Sequence, residues 1–281
     1  MKKDLILIVG ASGTVGSEIA KELKQQGYQV RTTTSKSVST GNQEMVHINL
    51  ATGEGIKAAL DGVDRAFFLS PPGYADQYKL LSPLIQEAKR KGLKKVVLMT
   101  AMGANAVETS PFRRAELELE KSGINYNIIR PNWFLQNFNT FWIQGIKEQG
   151  KILLPAGKAK VSFIDARDIA AVASKLLTTD DLNNKAFDLT GPEAVDHDQV
   201  AQAISGATHK NITYQEIEPS VLRTGLLAAG LPADYSDFLL MILSFLKEGY
   251  NASVNENVTF ILGRDPKKLS QYTNDYKKSW L

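Results

Sequence analysis

The feature that most constrains this chain is a glycine-rich turn that directly follows its first apolar run. Residues 5–9 are all aliphatic, and Gly10, Gly13 and Gly16 follow at intervals of three. An apolar run without polar alternation is typical of a strand buried on both faces, as in a parallel sheet covered by helices. The glycines allow a tight turn, a close approach to the main chain and close helix packing, which together predict a bound nucleotide pyrophosphate. A ligand-free connection could carry the same glycines, so the flanking elements matter.

The elements on both sides of the turn support a nucleotide site. A helix with an apolar face is predicted to begin near Val15, with Ser12 or Thr14 as its N-cap and Gly27 at its end. A second strand follows at residues 28–33. This succession of strand, turn, helix and strand favours a nucleotide-binding unit over a plain connection.

Strands and helices alternate through the first half of the chain. Predicted strands cover residues 5–9, 28–33, 45–50, 63–72, 95–100 and 125–131. The alternation predicts an α/β fold with a Rossmann-type, doubly wound parallel sheet. We expect the Rossmann NAD(P)-binding domain in residues 1–155, with returns to the sheet near residues 160–190. A smaller, mostly helical substrate-binding lobe is expected in residues 190–281, interleaved with the first domain.

The carboxyl ends of the predicted strands should line one groove, because ligands of doubly wound sheets bind beyond those ends. The second strand ends in Thr34, Ser35 and Lys36, with no carboxylate where an NAD site places one. Hydroxyl and ammonium groups can donate to a 2′-phosphate, whereas a carboxylate would repel it. We therefore expect NADP(H) to be preferred. If these are ordinary polar residues at a sheet edge, NAD(H) binds comparably.

Composition limits the remaining chemistry. The chain of 281 residues has no cysteine, which excludes disulfides and thiol nucleophiles. Lys and Arg number 33 against 30 Asp and Glu, and the interspersed charges predict no nucleic-acid partner. No apolar stretch approaches the roughly 20 residues of a membrane span, so we expect a cytoplasmic protein without a membrane partner. His47, His197 and His209 are too scattered to ligate a metal, and we expect the last two to lie beyond the core.

Two further groups of residues have open or structural interpretations. The densest aromatic segment contains Trp133, Phe134 and Phe138 and ends at residue 142. It predicts either a helix packed into the core or the wall of a substrate pocket, and periodicity does not separate the two. Asp165 and Asp168 stand where a strand or turn leads into a helix, which favours helix caps or arginine partners over catalysts.

Several motifs give the chain an overall resemblance to a known family. They are Gly10-Ala11-Ser12-Gly13-Thr14-Val15-Gly16, Phe68-Leu69-Ser70-Pro71-Pro72, Arg130-Pro131-Asn132-Trp133-Phe134-Leu135-Gln136-Asn137-Phe138, Phe163-Ile164-Asp165-Ala166-Arg167-Asp168-Ile169-Ala170 and Leu189-Thr190-Gly191-Pro192. Together these motifs resemble the NmrA-like family of atypical short-chain dehydrogenases/reductases nearly from end to end. The resemblance implies a Rossmann domain, a smaller substrate lobe and NAD(P)H-dependent reduction of quinones, dyes or iminium compounds. Some relatives are cofactor-sensing regulators without turnover.

The resemblance also implies where the ligands bind. Expected cofactor contacts are Gly10, Ala11, Ser12, Gly13, Thr14, Val15, Gly16, Thr34, Ser35, Lys36, Asn49, Leu50, Leu69, Ser70, Pro71, Pro72, Thr100, Ala101, Met102, Arg114, Pro131, Asn132, Trp133 and Phe134. The expected substrate pocket contains Tyr74, Met102, Trp133, Phe134 and Phe138.

The chain departs from typical short-chain reductases at the catalytic Tyr-x-x-x-Lys pair. The corresponding frame runs from Ser110 to Arg114. Arg114 could replace the lysine as a ribose-binding cation, but an arginine does not give up its proton and a serine is a poor acid. Arg113 and Arg114 could equally be surface charges on an exposed helix face. The catalytic residues are therefore unknown, with Arg114 and Tyr74 as candidates.

These features favour an NADPH-dependent oxidoreductase that transfers hydride to a small apolar or aromatic acceptor. The acceptor is expected to be already activated, as a quinone, a conjugated dye or an iminium ion is, because the chain lacks the usual acid. The alternative is a non-catalytic NADP(H)-sensing protein that acts through a protein partner. An isomerase that uses the cofactor transiently lacks any acid or base that we can name. We expect a monomer or a homodimer.

Overall fold

The computed structural model describes residues 4–36 and 44–281. Contacts between Cα atoms divide the chain into two units. Unit 1 consists of the described residues within Met1–Pro72, Asp76–Pro131 and Ile169–Asp188. Unit 2 consists of Gly73–Ala75, Asn132–Asp168 and Leu189–Leu281. The predicted functional division into a cofactor domain and a substrate lobe stays a prediction.

The main sheet lies in unit 1 and is mostly parallel. In chain order the strands are β1 (Leu5–Ile8), β2 (Gln29–Thr34), β3 (Met45–His47), β4 (Arg65–Phe68), β5 (Lys95–Met99), β6 (Asn125–Pro131), β7 (Lys151–Leu154), β8 (Lys185–Leu189) and β9 (Thr213–Glu216). The main sheet has the order β3-β2-β1-β4-β5-β6-β8, and β7 pairs with β9 in a separate sheet. Strand β1 pairs in parallel with β2 on one side and β4 on the other, with Ile6 opposite Val30 and Arg65. The order reverses at β1, which confirms the predicted doubly wound α/β fold.

The helices connect and cover the strands. They are α1 (Thr14–Gln25), α2 (Ile56–Ala59), α3 (Gln77–Lys91), α4 (Pro111–Glu120), α5 (Ile143–Gln149), α6 (Ala166–Thr178), α7 (His197–Thr208), α8 (Pro219–Ala228), α9 (Ala233–Lys247), α10 (Asn257–Leu262) and α11 (Leu269–Tyr276). Among the described residues, no helix has both the length and the apolar character that a membrane crossing requires.

Two predicted strands are shorter than expected. The third ends at His47, and the fourth covers Arg65–Phe68 only. After β3 the side-chain Oδ1 of Asn49 accepts hydrogen bonds from the N–H groups of Ala51 and Thr52, at 3.0 and 3.2 Å. An Asn side chain that bonds the backbone two residues later closes a turn, which ends the strand.

Each unit has its own apolar core. In unit 1, the central strands pack on α3 and α4 through residues such as Leu98, Leu84 and Leu119. In unit 2, the core combines aliphatic residues with aromatic ones, among them Tyr272 and Trp280, which are both fully buried.

The expectation that His197 lies beyond the core is wrong. His197 is the first residue of α7 and is fully buried, with its ring 5.3–6.2 Å from those of Phe138, Trp142, Phe163 and Tyr214. Within residues 4–36 and 44–281, neither ring nitrogen has a hydrogen-bond partner. Burial lowers the pKa of His197 from 6.5 to about 4, so its ring is neutral in the folded chain.

The other two histidines lie nearer the surface. The Nδ1 atom of His47 is 3.2 Å from the carbonyl oxygen of Lys36. His209 is exposed at the end of α7, where its φ is 57°. The part of the chain that the structure describes contains no group of three or more His, Asp or Glu residues that could hold a metal ion.

Candidate functional site

The glycine turn is built so that a side chain at its last glycine would not fit. A Cβ at Gly16 would overlap the carbonyl oxygen of Gly10, whereas a Cβ at Gly13 would lie 3.3 Å from the same oxygen. Gly13 donates a backbone hydrogen bond of 2.9 Å to that oxygen, which closes the turn. Gly10 has a φ of 76°, and a Cβ there would lie 2.9 Å from Cδ1 of Leu69 at the end of β4. The turn therefore brings the ends of β1 and β4 into contact at the reversal of strand order.

The N-terminus of α1 is uncapped. The N-cap residue is Gly13, so the expectation of a Ser12 or Thr14 cap is wrong. Among the described residues, no side-chain hydrogen bond caps the start of α1, and the first turn of the helix carries no acidic residue. Ser12, Gly13 and Thr14 are exposed. Bare N–H groups at a positive helix end fit a pyrophosphate, so the residues present are suited to the diphosphate of a dinucleotide.

The end of β2 presents exposed donors. Ser35 and Lys36 are exposed, and Oγ1 of Thr34 accepts a hydrogen bond of 3.1 Å from the backbone N–H of Lys36. The neighbouring Arg31 points elsewhere, because its Nη1 donates to the carbonyl oxygens of Ala59 and Asp61 at 2.9 and 2.6 Å. The exposed donors at this strand end therefore belong to Ser35 and Lys36, and Arg31 stabilises the end of α2.

The remaining predicted strand ends of unit 1 lie along the same edge of the sheet. Asn49 and Leu50 follow β3, Leu69 to Pro72 follow β4, and Thr100 to Met102 follow β5. The ladder between β5 and β6 continues past Met99, because the N–H of Thr100 donates to Ile129 and the N–H of Met102 donates to Pro131, each at 3.0 Å. Asn49 uses its side-chain oxygen in the turn after β3. These positions share an edge, and their contacts with a cofactor stay predictions.

A buried carboxylate that the sequence analysis missed lies beside this edge. Glu116 on α4 is fully buried and accepts hydrogen bonds from Oγ1 of Thr100 at 2.7 Å and from Nε and Nη2 of Arg130 at 2.8 and 2.7 Å. Arg113 adds a contact of 3.1 Å. Burial alone would raise the pKa of Glu116, but the hydrogen bonds from Arg130 and Thr100 outweigh it and hold the pKa below its usual value.

Thr100 therefore donates its hydroxyl hydrogen to an ionised carboxylate, which accepts only. The sole hint in the sequence was the spacing of three residues between Arg113 and Glu116, which is common on helix surfaces.

Two residues of the segment that stands in place of the Tyr-x-x-x-Lys pair, Ser110 and Arg113, have structural roles. The Ser110 hydroxyl caps α4 by accepting from the N–H of Arg113 at 3.3 Å, and it donates to the carbonyl of Ala104 at 2.8 Å. Arg113 is not a surface charge: its side chain is 15% exposed, and its Nη1 also contacts Glu120 at 2.8 Å. Arg114 is exposed, and its guanidinium carbon lies 3.9 Å from the centroid of the Tyr78 ring.

The segment after β6 belongs to unit 2. Asn132 is 3% exposed, and its side chain donates to Ser162 at 2.8 Å and to the carbonyl of Asn251 at 2.9 Å, so it supports the local fold. Trp133 and Phe134 are half-buried. Phe138 is fully buried, which favours the packing interpretation for its ring over the pocket interpretation.

The predicted pocket residues Tyr74 and Met102 belong to different units. Tyr74 belongs to unit 2 and is 41% exposed. Met102 belongs to unit 1 and is half-buried. The substrate pocket stays a prediction.

Asp165 and Asp168 have the structural roles that the sequence predicted. Both are fully buried. Asp165 precedes α6, and its Oδ1 accepts from the backbone N–H and from Nε of Arg167 at 2.9 and 3.0 Å. Asp168 accepts from Nη1 of Arg264 at 2.7 Å and from the N–H of Lys267 at 2.6 Å. They act as a cap and as arginine partners, which confirms the prediction.

The sheet order and the glycine turn define a protein of the Rossmann class. A family model described as the NmrA-like family matches residues 2–275. The chain belongs to the NmrA-like family, and the resemblance noted in the sequence is confirmed.

Relatives and a solved structure agree with this family and fold. The protein named uncharacterized oxidoreductase YesF, from Bacillus subtilis (strain 168), is 32% identical over 281 residues, which cover 100% of this chain and 98% of that protein. An NAD(P)H azoreductase from Xenophilus azovorans is 30% identical over 279 residues, covering 95% of this chain and 96% of that protein. The crystal structure of the Citrobacter sp. triphenylmethane reductase complexed with NADP(H) has a TM-score of 0.80 at 19% identity, covering 97% of this chain and 99% of that one. At that identity the likeness shows the shared fold.

Proposed function

We propose that this NAD(P)H-dependent oxidoreductase of the NmrA-like family transfers hydride from NADPH to a small, already activated acceptor. The observation that carries the proposal is the exposed glycine turn at the uncapped N-terminus of α1, where Gly16 leaves no room for a side chain. The azoreductase relative, which is named for its use of NAD(P)H, supports the same class of cofactor.

Residues of unit 1 are proposed to hold the two ends of the cofactor. The backbone N–H groups between Gly10 and Gly16 that the turn itself does not use would bind the pyrophosphate, and Ser35 and Lys36 would bind the 2′-phosphate. Thr100 to Met102 would contact the nicotinamide half. When bound, the nicotinamide ring supplies the hydride. The chain's own contribution is to bind and orient the cofactor, which is a substantial source of rate enhancement when the acceptor is already reactive.

The state of the nearby hydroxyl groups supports an activated acceptor. Ser110 donates its hydrogen to a backbone carbonyl, and Thr100 donates its hydrogen to Glu116. Reduction of a simple ketone needs a proton delivered to the carbonyl oxygen, and these groups are poorly suited to deliver it. A quinone, a conjugated dye or an iminium ion accepts hydride first, and water supplies any later proton.

The test is NADPH oxidation with a panel of acceptors. Quinones, azo and triphenylmethane dyes and cyclic iminium ions are compared with matched simple ketones under the same conditions. We expect steady NADPH consumption with at least one activated acceptor and none with the ketones. Turnover of ketones alone, or no turnover at all by protein that binds NADPH, would contradict the proposal.

A second candidate function is a non-catalytic NADP(H) sensor. The hydroxyl groups of Ser110 and Thr100 already donate hydrogen bonds within the protein, which is compatible with a sensor because a sensor needs no catalytic acid. A defined protein partner that binds only one redox state of the cofactor-loaded protein, together with no turnover across the panel, would favour the sensor.

A further inference from the structure

Glu116 joins three elements of unit 1 at the carboxyl edge of the sheet. Its carboxylate on α4 bonds Thr100, the residue after β5, and Arg130, the next to last residue of β6. Nη1 of Arg130 also lies 3.6 Å from a carboxylate oxygen of Asp188 on β8. One buried carboxylate thus connects the ends of β5 and β6 through two side chains.

The position of this group suggests a role beyond stability. A buried ion pair is weak evidence for stability, because the cost of removing two charges from water offsets most of their attraction. Thr100 and Arg130 immediately precede Ala101 and Pro131, which are expected cofactor contacts. The two Arg130 contacts and the Thr100 contact give the carboxylate a fixed orientation, which in turn fixes the two side chains that it bonds.

We propose that Glu116 is a positioning residue that holds Thr100 and the end of β6 in place for the nicotinamide half of the cofactor. The inference rests on the proposed function. Because the Thr100 hydroxyl donates its hydrogen bond to Glu116, the lone pairs of Oγ1 remain to accept a hydrogen bond from a ligand. The adenosine half is expected at the ends of β1 and β2, which Glu116 does not contact. Loss of the carboxylate therefore weakens one half of the cofactor site selectively.

The experiment compares two ligands on the protein without acceptor. NADPH probes both halves of the site, and 2′,5′-ADP probes the adenosine half alone. Glu116→Gln is expected to lower the affinity for NADPH about tenfold or more and to leave the affinity for 2′,5′-ADP within about twofold of wild type. Glu120→Gln is the matched control, because Glu120 lies on the same helix and contacts Arg113 without contacting Thr100 or Arg130. It is expected to change neither affinity.

A second pair of variants covers the case in which Glu116→Gln does not fold. Thr100→Val removes the hydroxyl and keeps the pair between Glu116 and Arg130, whereas Thr100→Ser keeps the hydroxyl. We expect Thr100→Val to reproduce the selective loss of NADPH affinity and Thr100→Ser to restore most of it. Equal losses for both ligands, or no loss for either, would overturn the positioning role. Wild-type protein that binds neither ligand would instead refute the proposed function.

Discussion

Gly16 illustrates how a single missing methyl group defines the candidate site at the scale of one residue. Its α-carbon lies against the Gly10 carbonyl so closely that a Cβ would overlap the oxygen. Gly206, within α7, has no heavy atom within 4 Å of the position that a Cβ would take. The same substitution therefore has opposite consequences at the two positions.

We expect Gly16→Ala to move the turn and to lower both stability and NADPH affinity. Forcing a methyl group into a packed contact lowers the free energy of unfolding by about 1–3 kcal/mol. The displaced N–H groups should lower the affinity for NADPH about tenfold. Gly206→Ala should instead raise the free energy of unfolding by about 0.5–1 kcal/mol, because alanine favours a helix over glycine. Urea unfolding and NADPH titration measure both effects. Unchanged NADPH affinity in folded Gly16→Ala would argue against a pyrophosphate at this turn.

At the same scale, Lys36 is the residue that we propose to favour NADP(H) over NAD(H). Replacing Lys36 by alanine removes one donor and one positive charge from the end of β2. We expect NADPH to bind about tenfold more weakly and NADH to be nearly unaffected. Lys21→Ala is a matched control, since Lys21 is an exposed lysine on α1 that pairs only weakly with Glu18 at 3.7 Å. Equal losses for both cofactors would show that Lys36 does not contact a 2′-phosphate.

At the scale of elements, sequence patterns predict the strands more reliably than the partners of polar side chains. The uniform apolar run before Gly10 and the proline that ends β6 mark their elements locally, so both strands were foreseen. The Glu116 contacts join residues 14 and 16 positions apart across α4, β5 and β6, and no local pattern encodes such a meeting. The prediction for His197 was wrong for a similar reason. Its neighbours in the sequence are polar, but its ring packs against aromatic side chains from distant parts of the chain.

The buried ring of His197 on α7 predicts that the free energy of unfolding depends on pH. The unfolded chain binds a proton there below about pH 6.5, whereas the folded chain does so only near pH 4. The free energy of unfolding should therefore fall as the pH decreases through this window, by about 2 kcal/mol between about pH 7 and about pH 5.

The measurement is urea unfolding of wild type and His197→Phe across this pH range. The variant should lack this contribution and should be the more stable of the two at the lower pH. His209→Asn replaces an exposed histidine in a left-handed conformation and should keep the wild-type dependence. A wild-type dependence that persists in His197→Phe would show that other groups cause it.

At the scale of the whole molecule, the fold and the sheet edge that we propose to bind the cofactor follow from the order of elements. Alternating strands and helices required a doubly wound sheet, and the rule for such sheets brought the ends of β1 to β5 to one edge. The identity of the acceptor does not follow in this way, because it depends on side chains from segments far apart in the chain. The absence of the Tyr-x-x-x-Lys pair supports the proposal of an activated acceptor without identifying that acceptor.

The central claim is tested most directly by calorimetric titration of the purified protein with NADPH and, separately, with NADH. We expect saturable binding of one NADPH per chain, tighter than NADH, and about tenfold weaker NADPH binding in Gly16→Ala. No heat of binding with either cofactor, or tighter binding of NADH than NADPH, would contradict it.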